Sequence, residues 1–197
     1  MTPFPPRSAL VMWAGLALSA LATAQPALAV RPLAEKRVDA LPAGPLYWRI
    51  ENLPSPAAAQ AAAGPLSIVV TDAKTWLFTL GPAGGATPGA DKVAEVGPIA
   101  RVDAAHWLLR INDASGPPGS VTPVHSHPGS EAFYVLEGEQ TIRDAHGTLH
   151  VAPGHAEPGH GAGMAMQVSS TGRGDLHALV MFVVDADKPF SSPAVLP

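Results

Sequence analysis

The 197-residue chain is 47% hydrophobic and only 14% charged, which describes one globular domain with a sizeable core rather than a disordered segment. A formal net charge of −4 without any basic run argues against nucleic acid as a partner. The absence of cysteine excludes disulfides, thiolate nucleophiles and cysteine-based zinc sites.

The first segment reads as an address rather than as part of a fold. "MTPFPPR" ends at Arg7, and no charge follows from Ser8 to Val30. A short positive region, the apolar run "ALVMWAGLALSALATA" and small residues at A-x-A positions make up the layout of a secretory signal peptide. Its expected extent is residues 1–24, with a second cleavage position after Ala29. The uncharged run is also long enough to span a bilayer as an uncleaved anchor, but Pro26 and the small residues favour cleavage. The mature protein is therefore expected to be periplasmic or secreted, with no stable membrane anchor.

Residues 30–45, rich in Pro and Ala, read as an extended tether. "LYWRIEN" has strand character, and "PSPAAAQAAAGP" reads as a loop with a helical turn fenced by prolines and Gly64. "LSIVVTDAKTWLFTLGP" predicts two strands around a turn near Asp72 to Lys74, and "AGGATPGAD" a loop. "GPIARVD" and "HWLLRIND" predict two more strands. "EAFYVLEGEQTIRDAHG" looks like a hairpin turning at Glu137-Gly138, with "TLHVAPG", "MAMQVSS" and "DLHALVMFVVDA" as further strands. About ten short strands punctuated by 22 prolines and 19 glycines predict an all-β jelly-roll sandwich or barrel over residues 46–190, with 191–197 as a tail.

Ahead of that hairpin, and running into it, lies "GSVTPVHSHPGSEAFYVLEG". Side chains alternate along a strand, so His125 and His127 point one way. Pro128-Gly129-Ser130 bends the chain, and Glu131 can fold back towards the two imidazoles. Two histidines and a carboxylate are a ligand set for one divalent transition metal with positions left open. Ligand type alone does not separate Fe, Mn, Zn, Ni and Cu. Taken singly, an H-x-H on a strand is more often a pair of surface histidines.

The spacing is more specific. Gly119, five residues, His125-x-His127, three residues, Glu131, six residues and Gly138 resemble the first motif of the cupin superfamily position for position. The resemblance implies a double-stranded β-helix centred on residues 115–185, with the metal in the barrel mouth. It also implies a fourth ligand, a histidine from a second motif, and a homodimer. Here the second motif departs from the pattern: in the best register of "VAPGHAEPGHGAGMAMQVSSTG", Met166 stands where histidine is expected and Ser170 where asparagine is. His160 is the leading substitute, with His155, the thioether of Met166 and water as alternatives. Met164, Met166 and Val168 share a strand face and read more simply as core. Phe133 and Val135 share the parity of Glu131 and should line the interior, while Tyr134 and Leu136 face the other way.

Two functions are compatible with such a site. One is a metal-dependent oxygenase or isomerase acting on a small organic molecule, with a base drawn from residues 154–163. The other is a non-catalytic periplasmic protein that binds a metal or a small ligand.

Overall fold

A computed structural model describes residues 25–197; the expected signal peptide lies outside the described residues. In chain order the elements are β1 (Ala29–Val38), β2 (Tyr47–Leu53), helix α1 (Pro56–Ala62), β3 (Ser67–Thr71), β4 (Thr75–Gly81) and β5 (Asp91–Val96). Then come β6 (Trp107–Gly116), β7 (His125–Ser126), β8 (Gly129–Glu137), β9 (Gln140–Asp144) and β10 (Gly147–Val151). The series ends with β11 (Ala156–Glu157), β12 (Met166–Ser170), β13 (Leu176–Asp185) and β14 (Ser192–Pro193). Among the described residues no helix is long and apolar enough to cross a membrane.

Three sheets result, with orders β1-β6-β13-β8-β11, β10-β9-β12-β7-β14 and β3-β4-β2-β5. The first two enclose the barrel interior. Inward residues of β8 and β13 (Phe133, Val135, Val180, Phe182) pack with Ile142, Met166 and Val168 from the second sheet. Their alternates, Ala132, Tyr134, Leu179, Met181 and Val183, point outward and are buried too, against Trp48, Ile50, Trp76 and Phe78 of the third sheet. A sheet covered on both faces needs apolar residues at every position, which is why "LHALVMFVVD" shows no alternation. Trp48 and Phe78 are fully buried on the back of that sheet, and burial of the Phe78 ring stabilises the fold by about 3 kcal/mol.

This corrects the expectation of a single barrel from residue 46 to 190. The barrel is built from β1 and the strands from β6 onward, while β2 to β5 form a separate antiparallel sheet behind it. The tether expected over residues 30–45 is in large part β1, paired antiparallel with β6 from Ala29↔Ser115 to Val38↔Trp107. Pro32 sits at a register shift of this edge strand, where its missing N–H costs no ladder bond. The expected hairpin at Glu137-Gly138 is a corner: β8 pairs with β13 and β11, whereas β9 pairs with β10 and β12. Gly138 makes that corner with φ +72°, and a Cβ there would lie 2.5 Å from the Asp175 carbonyl oxygen. "GPIARVD" is loop rather than strand, and "DKVAEV" is the strand β5 instead. Helix α1 is capped by the Ser55 hydroxyl, which accepts from Ala58 N at 3.2 Å, with Pro56 opening the helix.

Candidate metal centre

His125 opens β7, His127 follows it, and Glu131 lies on β8 beyond the bend. The bend carries the chain from the second sheet to the first, so the two histidines and the carboxylate approach from different sheets. Each offers one ligand atom, and the three atoms lie within 4.8 Å of one another. The imidazole rings stand edge to face with centroids 5.0 Å apart.

Both rings are oriented by main-chain carbonyls. Nδ1–H of His125 donates to the Pro123 carbonyl at 2.8 Å, and Nδ1–H of His127 donates to the Phe190 carbonyl at 2.6 Å. A carbonyl only accepts, so the proton of each neutral ring is on Nδ1 and the Nε2 lone pair is free to ligate. The His127 ring packs 4.8 Å from both Phe182 and Phe190. The Arg110 guanidinium covers Phe190 at 4.2 Å.

Glu131 is 3% exposed, and its Oε2 is buried without a hydrogen-bond partner among the described residues. Burial pushes its carboxyl up to about 8. Burial likewise pushes His127 down to about 4, with the neighbouring His125 and Arg110 acting in the same direction against the Phe190 carbonyl. Glu131 Oε2 stands 3.9 Å from His127 Nε2, yet near neutral pH the shifted values leave both groups uncharged, so this contact is not an ion pair. An orphaned carboxyl oxygen, which would ionise on binding a cation, beside two outward lone pairs is the donor set of a divalent cation. The residues fit the metal that the motif implies.

The site opens into a cavity of about 500 Å³. Its walls are mainly apolar and include Phe133, Val180, Phe182 and Phe190; Asn112, Thr122, Ser191 and Ser192 supply most of the polar groups. Phe133 and Val135 face the interior as their parity requires, and Tyr134 faces the third sheet. Among the described residues, the titratable ones on the wall are His125, His127 and Glu131 alone.

The fourth position differs from expectation. His160 contacts the Asp144 carboxylate through Nε2 and lies outside the cluster, so it is not brought to the metal ligands. Its main chain does serve the site, because the His160 carbonyl accepts from Glu131 N at 3.1 Å. His155 is exposed, with Nδ1 directed to the Pro153 carbonyl. Met166 lies in register with His125 but is buried in the interior apolar cluster and does not line the cavity. None of His155, Glu157 or His160 lines the cavity, so the expected base from residues 154–163 is not beside the ligands. His177 pairs with Asp113 at 2.6 Å, away from the centre. The Phe190 carbonyl, which holds His127, went unanticipated because a main-chain acceptor in a proline-flanked tail leaves no mark in residue type.

No protein-family model matches the chain, and no curated protein sequence matches it. Solved structures are similar over part of it. A cupin-like protein from Thermotoga maritima is 15% identical, covers 44% of this chain and 64% of its own length, and has a TM-score of 0.38. A double-stranded β-helix protein from Klebsiella pneumoniae is 18% identical over 44% of this chain and 75% of its own, with a TM-score of 0.39. A polyketide cyclase from Streptomyces resistomycificus is 22% identical over 45% and 62%, with a TM-score of 0.36. The chain thus spans less than two thirds of the Thermotoga protein and of the cyclase. The spacing of Gly119, His125, His127, Glu131 and Gly138, carried on a two-sheet barrel, resembles the first motif of the cupin superfamily.

Proposed function

We propose that this protein holds one divalent transition metal (Fe, Mn, Zn, Ni or Cu) at His125, His127 and Glu131 and, with a redox-active ion rather than Zn, acts as an oxygenase on a small organic molecule in the adjoining cavity. The observation that carries the metal is the buried, unpartnered Glu131 Oε2 facing two histidines whose Nδ1 protons are already committed. Bound there, the ion would supply Lewis acidity and, for a redox metal, electron transfer.

The chain's own residues set the conditions. The Pro123 and Phe190 carbonyls fix the tautomer and aim of the imidazoles. Phe182 and Phe190 shield His127 from water, and the apolar wall favours a substrate that carries little charge. With no acid or base on the wall beyond the ligands among the described residues, an isomerase that relays protons through side chains has little support, whereas oxygen chemistry asks less of the wall. The same poverty of proton-transfer groups supports a second reading, a non-catalytic receptor for a metal-bound small molecule. Export to the periplasm or beyond is part of the proposal and rests on the layout of residues 1–24.

The test has two stages. Purified protein should carry about one divalent ion per chain by elemental analysis, and His125→Ala or His127→Ala should lower that content sharply. Unchanged metal content in both variants would overturn the site. Oxygen uptake by the metal-loaded protein with small phenols, diketones and organic acids then separates the oxygenase from the receptor, which binds without consuming oxygen.

A further inference from the structure

The cavity wall carries two polar side chains that the metal ligands do not use. Asn112, on β6, is 2% exposed and lines the cavity. Its Oδ1 accepts from Arg110 Nε at 3.0 Å. Arginine has no acceptor, so the amide must present its oxygen to the guanidinium and its NH2 to the other side. Among the described residues that NH2 has no partner. Thr122 reaches the cavity from beside β12 and is held the same way: its hydroxyl oxygen accepts from Val168 N at 3.0 Å, which leaves the hydroxyl proton uncommitted.

Register places Asn112 relative to the metal ligands. Asn112, Val180 and Phe133 form one row across β6, β13 and β8, and Arg110, Phe182 and Glu131 form the next. Paired residues share a face, so both rows look into the barrel. Two inter-strand steps separate Asn112 from β8, roughly 10 Å at ordinary strand spacing. The apolar residues Val180 and Phe182 fill the interval.

We propose that Asn112 Nδ2, assisted by the Thr122 hydroxyl, is a specificity-determining donor for the far end of the cavity's ligand. The geometry points to a small, apolar, uncharged body with a neutral oxygen acceptor such as a ketone or ester carbonyl, set about a strand pair's width from its metal-binding end. A carboxylate tail is disfavoured, because among the described residues no lysine or arginine lines the wall, and the nearby Arg110 is already committed to Asn112 Oδ1, to Glu35 and to the face of Phe190. This extends the function proposed above and rests on that reading only for the metal-held end.

The test uses the metal-free full chain and an isosteric probe pair, benzophenone and diphenylmethane. Affinities are read from 1H–15N titrations, which also report the Asn112 side-chain NH2. In wild type the ketone should shift those two resonances, and a 13C-labelled carbonyl should show a lowered stretching frequency. Asn112→Asp keeps an oxygen for Arg110 but removes the donor, and should reduce the ratio of ketone to hydrocarbon affinity roughly fivefold, the worth of one net hydrogen bond. Thr122→Val should lower the ratio less and serves if Asn112→Asp fails to fold. An unmoved Asn112 amide, a ratio unchanged in both variants, or no saturable binding of either probe overturns the proposal. Metal affinity is measured separately by chelator competition. A chain that discriminates the ketone yet takes up no metal would refute the metal reading and leave this one standing.

Discussion

Glu131 shows what the barrel gives up to keep a carboxyl group buried beside two imidazoles. Its folded carboxyl is raised from 4.5 to about 8, so below pH 4.5 folding is indifferent to it. Between those values the unfolded chain ionises while the folded one stays protonated, and stability of the metal-free protein should fall as pH rises. His127 is lowered from 6.5 to about 4, so its share of stability is complete above pH 6.5 and is lost as pH falls towards 4. Metal-free wild type should therefore melt progressively earlier from pH 6.5 to 8, whereas Glu131→Gln should be flat over that range and bind metal far more weakly. Thermal melts of both proteins at several pH values check this; parallel curves would mean that Glu131 is not buried uncharged. The clustering of His125, His127 and Glu131 was open to view in the sequence because their spacing is local and their chemistry lies in side-chain type. The acceptor that orients His127 and the carboxylate that occupies His160 were not, since Phe190 acts through its main chain and Asp144 meets His160 only once the sheets are assembled.

Among the elements, the short β14 has the most to do with the site. Ser192 pairs with Ser126 and Pro193 with His125, which sets the Phe190 carbonyl against His127. Deleting residues 190–197 should weaken metal affinity roughly 10- to 100-fold, the usual cost of removing a partner that orients a ligating histidine. Phe190→Ala keeps the carbonyl and should cost much less. Competition against a chromogenic chelator measures both, and equal affinity in the truncated and intact chains would show that the tail is dispensable. Reading elements from sequence succeeded where one strand answers one pattern, as in β3, β4 and β12, and failed where pairing decides. β1 is mostly exposed and contains Pro32, so nothing local marks it as a strand; its partner β6 makes it one. Glu137-Gly138 has the turn chemistry of a hairpin, but β9 beyond it joins the opposite sheet.

At the scale of the molecule, the segment before β1 belongs to the barrel. Leu28 is 6% exposed in the interior cluster, and its N–H donates to the Val121 carbonyl at 2.9 Å. Val121 N in turn donates to the Pro26 carbonyl at 3.0 Å. Cleavage after Ala24 keeps this strip, while cleavage after Ala29 removes it. Leu28→Ala should cost about 2–5 kcal/mol in urea unfolding, as other buried leucine truncations do. Intact-mass measurement of exported protein should find Gln25 as the first residue, and a start at Val30 would contradict it. Leu28 and Val30 border the cavity together with Ser191, Ser192 and Pro193. Segments close to both extremities of the described chain therefore border the same cavity. A polyhistidine tag or fusion partner spliced beside either segment would sit close to the proposed metal centre, so metal assays on this protein call for tags that are cut away.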